Sequence, residues 1–205
     1  HTVNMMAVPL REFSSNEFYG AHRGITVWNL GAKCCSEVFD TPVSTFHDTR
    51  MWNVGALGSY GYGENRVTFD GWIHYNDGSA LSDQHERSMS FFFGDYIARN
   101  IVIRNANIQG LRIGVHAPIK AGDVRDIYGG HPGTLVVENS TLKNYWNIYT
   151  SPPYGVTGGG TMLPPRLVIA RNIQFSNVPG SSPAAGPAHV FRDFTPTGGP
   201  NPNIV

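Results

Sequence analysis

The sequence predicts an all-β solenoid, a chain wound into roughly six short parallel coils. Three observations carry that expectation: a motif recurs, the residues leading into it alternate, and the composition is that of short strands joined by turns. The motif is N/D-x-x-apolar or aromatic-x-x. It reads "NEFYGA" from Asn16, "DTRMWN" from Asp48, "DGWIHY" from Asp70, "NANIQG" from Asn105, "NSTLKN" from Asn139 and "NIQFSN" from Asn172. These anchors lie 32, 22, 35, 34 and 33 residues apart, within the range of stacked repeats. Among 205 residues there are 24 Gly and 14 Pro, and only 15% are charged. That balance favours strands and turns over long amphipathic helices.

In the clearest copies an alternating strand enters the anchor. Ile101 and Ile103 precede Asn105, and Leu135 and Val137 precede Asn139, the period of a strand with one buried face. Each copy therefore reads strand, bend, strand. Before Asp70 and Asn172 the large apolar residues, Val67 with Phe69 and Leu167 with Ile169, fall one position out of step. A bulge or a shifted bend is expected there. Asparagine suits the bend, because it tolerates a left-handed backbone and its amide can bond the equivalent amide one coil away. So short a unit cannot bury its apolar side alone, whereas parallel stacking closes the backbone hydrogen bonds and builds a continuous core.

The repeat region is expected to span residues 1–178, with 179–205 a loop or linker. The segment "PGSSPAAGP" has too little to bury, and His189–Phe194 reads as a last strand. Solenoid ends need polar caps, and neither "HTVNMMAV" nor the tail offers an amphipathic helix. The expectation is a piece of a larger protein, or one that associates end to end through open strand edges.

Charge narrows the function classes. The 15 Lys and Arg balance 15 Asp and Glu and are scattered, which argues against a nucleic-acid partner. The sequence has no apolar run of membrane-spanning length, so membrane insertion is not expected. The glycine-rich "GVTGGGT" lacks the lysine and context of a phosphate loop. Cys34 and Cys35 are neighbours that cannot frame a disulfide fold and read as incidental thiols. The excursion 76–90 contains Asp77, Asp83, His85 and Glu86, hard ligands that leave calcium open, but no recognised metal-loop pattern, so no metal ligands are assigned. Asn139-Ser140-Thr141 spells a glycosylation acceptor, although the bend role competes for the same asparagine.

The stretches "LREFSSNEFYGAHRGITVW", "NRVTFDGWIHY" and "RNIVIRNANIQGLRIGV" resemble right-handed, single-stranded parallel β-helix repeats. They are most similar to those of large secreted bacterial proteins and of the hyaluronan-degrading cell-surface proteins of animals. The resemblance covers residues 8–178 and implies an extracellular or cell-surface location. The wider fold includes polysaccharide lyases, glycoside hydrolases, phage tailspikes and adhesins, and its lyases typically pair a calcium held by acidic residues with an Arg or Lys base. No cluster here matches their motifs residue by residue, and fold alone does not carry chemistry.

Reading the later strand of each copy outward gives a candidate surface. Ile25 and Val27 point in, leaving Trp28 out; Ile113 and Val115 point in, leaving Arg112, Gly114 and His116 out. Tyr149 flanks an inward Ile148, and "GSYGYG" offers Tyr60 and Tyr62. Stacked on one face, Trp28, Tyr60, Tyr62, Arg112, His116 and Tyr149 would form a platform for an extended glycan, since aromatic rings pack on the C–H faces of sugars. Ordinary stacking along a solenoid is the competing reading.

The excursion "HAPIKAGDVRDIYGGHPG" gathers candidate catalytic groups, Lys120, Asp123, Arg125 and His131, with Asp126 and Tyr128 beside them. A uronate lyase needs a cation for the carboxylate and a base for the C5 proton, which Lys120, Arg125, Tyr128 or His131 could supply. A glycosidase needs two carboxyl groups about 5 to 10 Å apart, for which Asp123 and Asp126 are the candidates. A polar loop is also simply a wet loop. The functional expectation is an extracellular polysaccharide-binding β-helix, with cleavage left open. The alternatives are a non-catalytic structural or adhesive module and a self-associating fibre subunit.

Overall fold

The computed structural model describes residues 7–33, 37–38, 40–77, 88–93, 98–117, 134–150, 167–177 and 191–193. In chain order its strands are β1 (Glu17–Tyr19), β2 (Arg23–Leu30), β3 (Ala32–Lys33), β4 (Glu37–Val38), β5 (Ser44–His47), β6 (Arg50–Trp52), β7 (Leu57–Asp70) and β8 (Ile73–Tyr75). They continue with β9 (Met89–Phe93), β10 (Ala98–Arg104), β11 (Asn107–Gln109), β12 (Ile113–His116), β13 (Thr134–Asn144), β14 (Trp146–Thr150), β15 (Leu167–Asn177) and β16 (Phe191–Asp193). There is no α-helix among the described residues.

The chain is a parallel β-helix with three faces. The first stacks β5, the end of β7, β10 and the leading halves of β13 and β15. The second stacks β1, β6, β8, β11 and the trailing halves of β13 and β15. The third stacks β2, the start of β7, β9, β12, β14 and β16. Every pairing on these faces is parallel, and the short β3–β4 pair is the antiparallel exception among the named strands. Each repeat thus contains three strands rather than two. Three turns pass through all three faces without a break in the described residues, over 44–64, 101–116 and 134–150, so the count of complete turns is about three, not six. The first copy enters through the bridge Ser14↔His47 instead of a strand of its own.

Register corrects two anchors. The left-handed bend between the first and second faces falls at Ser15, Asp48, Gly71, Asn105, Asn139 and Asn172, with φ of 54, 49, 72, 53, 50 and 49°. Asn105 and Asn139 are equivalent, as expected, because Arg104 pairs with Glu138 and Asn107 with Thr141. Asn16 and Asp70, however, sit one position off the bend. In the latter copy the bend has shifted to Gly71, which leaves Val67 and Phe69 in register with Ile101 and Ile103. Gly71 takes its φ of 72° without strain, and a Cβ there would press on Asp48 Oδ1, which would have to turn aside. At Asn172 neither bulge nor shift occurs. Val168 and Ala170 take the inward positions opposite Leu135 and Val137, and Leu167 and Ile169 fall in the alternate register.

The bends are tied to the next turn through the backbone. The amides of Ser15, Asp48, Gly71 and Asn105 donate to the carbonyls of His47, Asp70, Arg104 and Glu138 at 3.1, 2.8, 3.1 and 3.2 Å. Side chains complete the ladder only in part. Asn172 Nδ2 donates to Asn139 Oδ1 at 2.9 Å, while Asn105 Nδ2 reaches Asp70 Oδ1 at 2.7 Å. Asn139 is exposed, and its amide contact with Asn172 lies at the surface. Immediately before the bend runs the column His47, Asp70, Arg104, Glu138 and Arg171, whose last four members alternate in charge.

Inside, one column tapers from Phe46 and Phe69 through Ile103 and Val137 to Ala170. Phe69 and Phe46 stack at 4.9 Å, and Trp72 and Phe91 close around Phe69 at 5.4 and 4.8 Å. Each such ring, fully buried, contributes on the order of 2 kcal/mol by area. Polar groups enter at the corner between the second and third faces. Trp72 Nε1 donates to Ser90 Oγ at 3.0 Å, and Ser90 Oγ lies 3.0 Å from His74 Nδ1. Gly58 makes room, since a Cβ there would lie 2.6 Å from His74 Nδ1.

Candidate functional site

The third face brings most of the predicted aromatic residues together, because parallel register repeats one outward position from turn to turn. Thr26, Tyr60, Phe92, His116 and Tyr149 are successive Cα partners across β2, β7, β9, β12 and β14. Two residues further along, Trp28 pairs with Tyr62. The rings follow: Trp28 lies on Tyr62 at 4.1 Å and 17°, Tyr60 on Phe92 at 5.5 Å and 14°. Phe92 meets His116 edge-on at 5.0 Å, and His116 meets Tyr149 at 4.9 Å. Tyr60 joins the two columns at 6.3 Å from Trp28 and 6.5 Å from Tyr62.

The two ends of this row differ. Trp28 is 59% exposed, and Tyr60 and Tyr62 are half-buried. His116 is 4% exposed, wedged between Phe92 and Tyr149. Its Nδ1 lies 3.1 Å from the Ala117 carbonyl, placed to donate to it. His116 therefore occupies the outward column without being an outward-facing surface residue.

Arg112 and Gly114 do not belong to the row. Arg112 precedes β12 at the corner with the second face, where its guanidinium lies 5.5 Å from the Tyr145 ring centre, a cation–π contact. A Cβ on Gly114 would come 2.8 Å from Nδ2 of the buried Asn144. The position thus faces the interior. Phe92 is the member that sequence reading missed; it sits in "SFFFG" between Phe91 and Phe93, where every residue is apolar and alternation gives no signal.

Lys120, Asp123, Arg125 and His131, with Asp126 and Tyr128, lie outside the described residues, as do Asp83, His85, Glu86, Cys34 and Cys35. Asp77 is described, and its backbone amide donates to Asn53 Oδ1 at 3.2 Å. Among the described residues no three His, Cys, Asp or Glu side chains are grouped to hold a metal ion, and no helix is long and apolar enough to cross a membrane.

No protein-family model matches the chain, and no curated protein or solved structure is significantly similar to it. Fold and surface chemistry therefore carry the functional reading.

Two buried ionisable groups near this face, His74 and Glu64, have shifted proton affinities. Burial pulls the His74 imidazole down to about 4, offset in part by the Val54 carbonyl. Glu64, at the end of the third face, has no exposed surface, and neither carboxylate oxygen has a hydrogen-bond partner. Its carboxyl lies where a Cβ on Gly61 would be, and burial pushes it up to about 8. It is a neutral acid at neutral pH, turned toward the core and away from the aromatic row.

Proposed function

We propose that the chain is an extracellular, polysaccharide-binding β-helix that holds an extended glycan along its third face. The observation that carries the reading is the Trp28–Tyr62 stack, an exposed indole backed by a parallel ring at 4.1 Å. Backing fixes the orientation of Trp28 before any ligand arrives, so little side-chain entropy is lost on binding. The remaining rungs, 4.9 to 5.5 Å apart, continue the row along the solenoid axis. The likeness to β-helix repeats of secreted bacterial and hyaluronan-degrading surface proteins supports the same reading.

Cleavage, with Lys120, Asp123, Arg125 and His131 as the groups to test, is an extension of this proposal. One observation favours the structural or adhesive alternative for the far half of the row: His116 is satisfied by its own neighbours. Trp28→Ala separates the readings. Under the glycan proposal it weakens binding to soluble polysaccharide by about tenfold, roughly 1.4 kcal/mol, with little change in melting midpoint. A wild-type chain that neither binds nor cuts a broad polysaccharide panel, with or without calcium, would leave the structural reading in its place.

A further inference from the structure

The second face carries an aromatic row of its own. Tyr19, Trp52 and Tyr75 are successive Cα partners across β1, β6 and β8, and Gln109, Lys143 and Ser176 continue the column. Tyr19 is 64% and Tyr75 46% exposed. Trp52 lies between them, partly exposed, its ring 6.0 Å from that of Tyr75. The parallel column two residues upstream is polar apart from Ile73: Glu17, Arg50, Ile73, Asn107, Thr141 and Gln174.

These neighbours hold Tyr19, at one end of the row, in place. Tyr19 Oη donates to Glu17 Oε2, and Arg50 Nη1 pairs with Glu17 Oε1 at 3.3 Å. Gln109 Nε2 donates to Asn107 Oδ1 at 2.6 Å, which aims the pair of amides along the sheet. Rings beside oriented amides and hydroxyls match the two surfaces of a sugar, its apolar C–H face and its hydroxyl rim. The charges bear on which sugar. Glu17 and Arg50 neutralise each other, and the remaining charge in the two columns is Lys143, beyond Gln109 from Tyr75.

We propose that the second face is a separate carbohydrate-binding surface, taking a neutral polysaccharide chain laid across Tyr19, Trp52 and Tyr75. It shares no residue with the third-face row, so either can fail without the other. A protein partner fits less well, because the centre of a protein interface is dry and apolar, whereas each ring here has a charged or amide neighbour or stands beside the single Ile73.

The test uses the full chain with cello-oligosaccharides, xylan and mannan as neutral probes and polygalacturonate as the acidic one. Binding is followed by titration calorimetry and folding by thermal melting. Trp52→Ala and Tyr75→Ala should each weaken neutral-chain binding tenfold or more. If Trp52→Ala does not fold, Tyr19→Ala and Tyr75→Ala, at largely exposed positions, carry the test. Neutral binding unaltered in those variants overturns the proposal, as does a wild type that binds none of the neutral probes. Neutral-chain binding lost only in Trp28→Ala would sink the second face and keep the third. Self-association that disappears in Trp52→Ala would mean that a second copy covers the row, and would also overturn it.

Discussion

Two carboxyl groups on the same strand, Glu64 and Asp70, meet opposite fates. Asp70, just before the left-handed bend, receives Nε and Nη2 of Arg104 at 2.9 and 2.8 Å and Nδ2 of Asn105 at 2.7 Å. Partial burial raises its proton affinity, but the hydrogen bonds from Asn105 and Arg104 and the charges of Arg104 and His47 outweigh it and hold the carboxyl below its usual range. Glu64, at the other end of β7's corner, meets no donor. One corner stores an ionised group that neighbouring turns stabilise; the other stores a neutral one that only low pH makes comfortable. Adjacent turns of a solenoid can compensate a charge in the column they share, and a side chain that folds under its own strand loses that help.

The largest expected effect breaks the Glu64 side. Its folded value of about 8 exceeds the unfolded 4.5, so the native state holds the proton longer and stability falls as pH rises between the two. His74 runs the other way: its folded value of about 4 lies below 6.5, and stability falls as pH drops through that window. The two slopes, each about 1.4 kcal/mol per pH unit, oppose each other from 4.5 to 6.5, and Glu64 acts alone from 6.5 to 8. Urea denaturation should therefore show a plateau followed by a loss of about 2 kcal/mol. Glu64→Gln should abolish that loss and make the protein more stable at pH 8. An unchanged alkaline slope would mean that water or a partner reaches Glu64.

Asp70→Asn tests the compensated corner. It removes charge-assisted bonds from Arg104 and should cost about 1 to 2 kcal/mol at pH 7. The folded carboxyl lies below its ordinary value, so the wild-type advantage holds above the unfolded pKa and is lost as pH falls through the folded one. Wild type and variant should converge in acid. A gap that persists at the acidic end would assign the effect to packing instead.

The smallest effect sharpens the role of the bend. Asn139→Ala should cost about 1 kcal/mol, because alanine pays for a left-handed φ of 50°. Asn139→Gly should recover most of it, the backbone being the demanding element and the bond from Asn172 an exposed one. Equal losses in both would return the weight to the side-chain amide, read as melting midpoints side by side.

The fold was legible because a solenoid repeats its chemistry, and a period survives imperfect copies. Bend positions were less so, since a bend is defined by φ while a sequence shows side chains: Ser15 and Gly71 take the left-handed conformation beside the more conspicuous Asn16 and Asp70. The tightness of the later turns was hidden for a related reason, Val168 and Ala170 being smaller than the Leu167 and Ile169 that pattern reading favoured for the core. On the candidate face, alternation places Trp28, Tyr60, Tyr62, His116 and Tyr149 in one row, but it fails near corners, which is why Gly114 reads as outward while it faces the interior. It also says nothing about depth: His116 has the right parity and is buried by its neighbours on the adjacent turns. Glu64 left no trace in the pattern, because its burial depends on the missing side chain of Gly61.

The column His47, Asp70, Arg104, Glu138, Arg171 restricts how such a chain can change its length. Excising the repeat that contains Arg104 would set Asp70 against Glu138, and duplicating it would set arginine against arginine. Like charges in directly opposed positions oppose pairing. Excising two neighbouring repeats restores the alternation, with Asp70 meeting Arg171. Removing a single repeat therefore costs this column up to about 1 kcal/mol that removing two neighbouring repeats does not, a difference that melting midpoints of the two deletions would read.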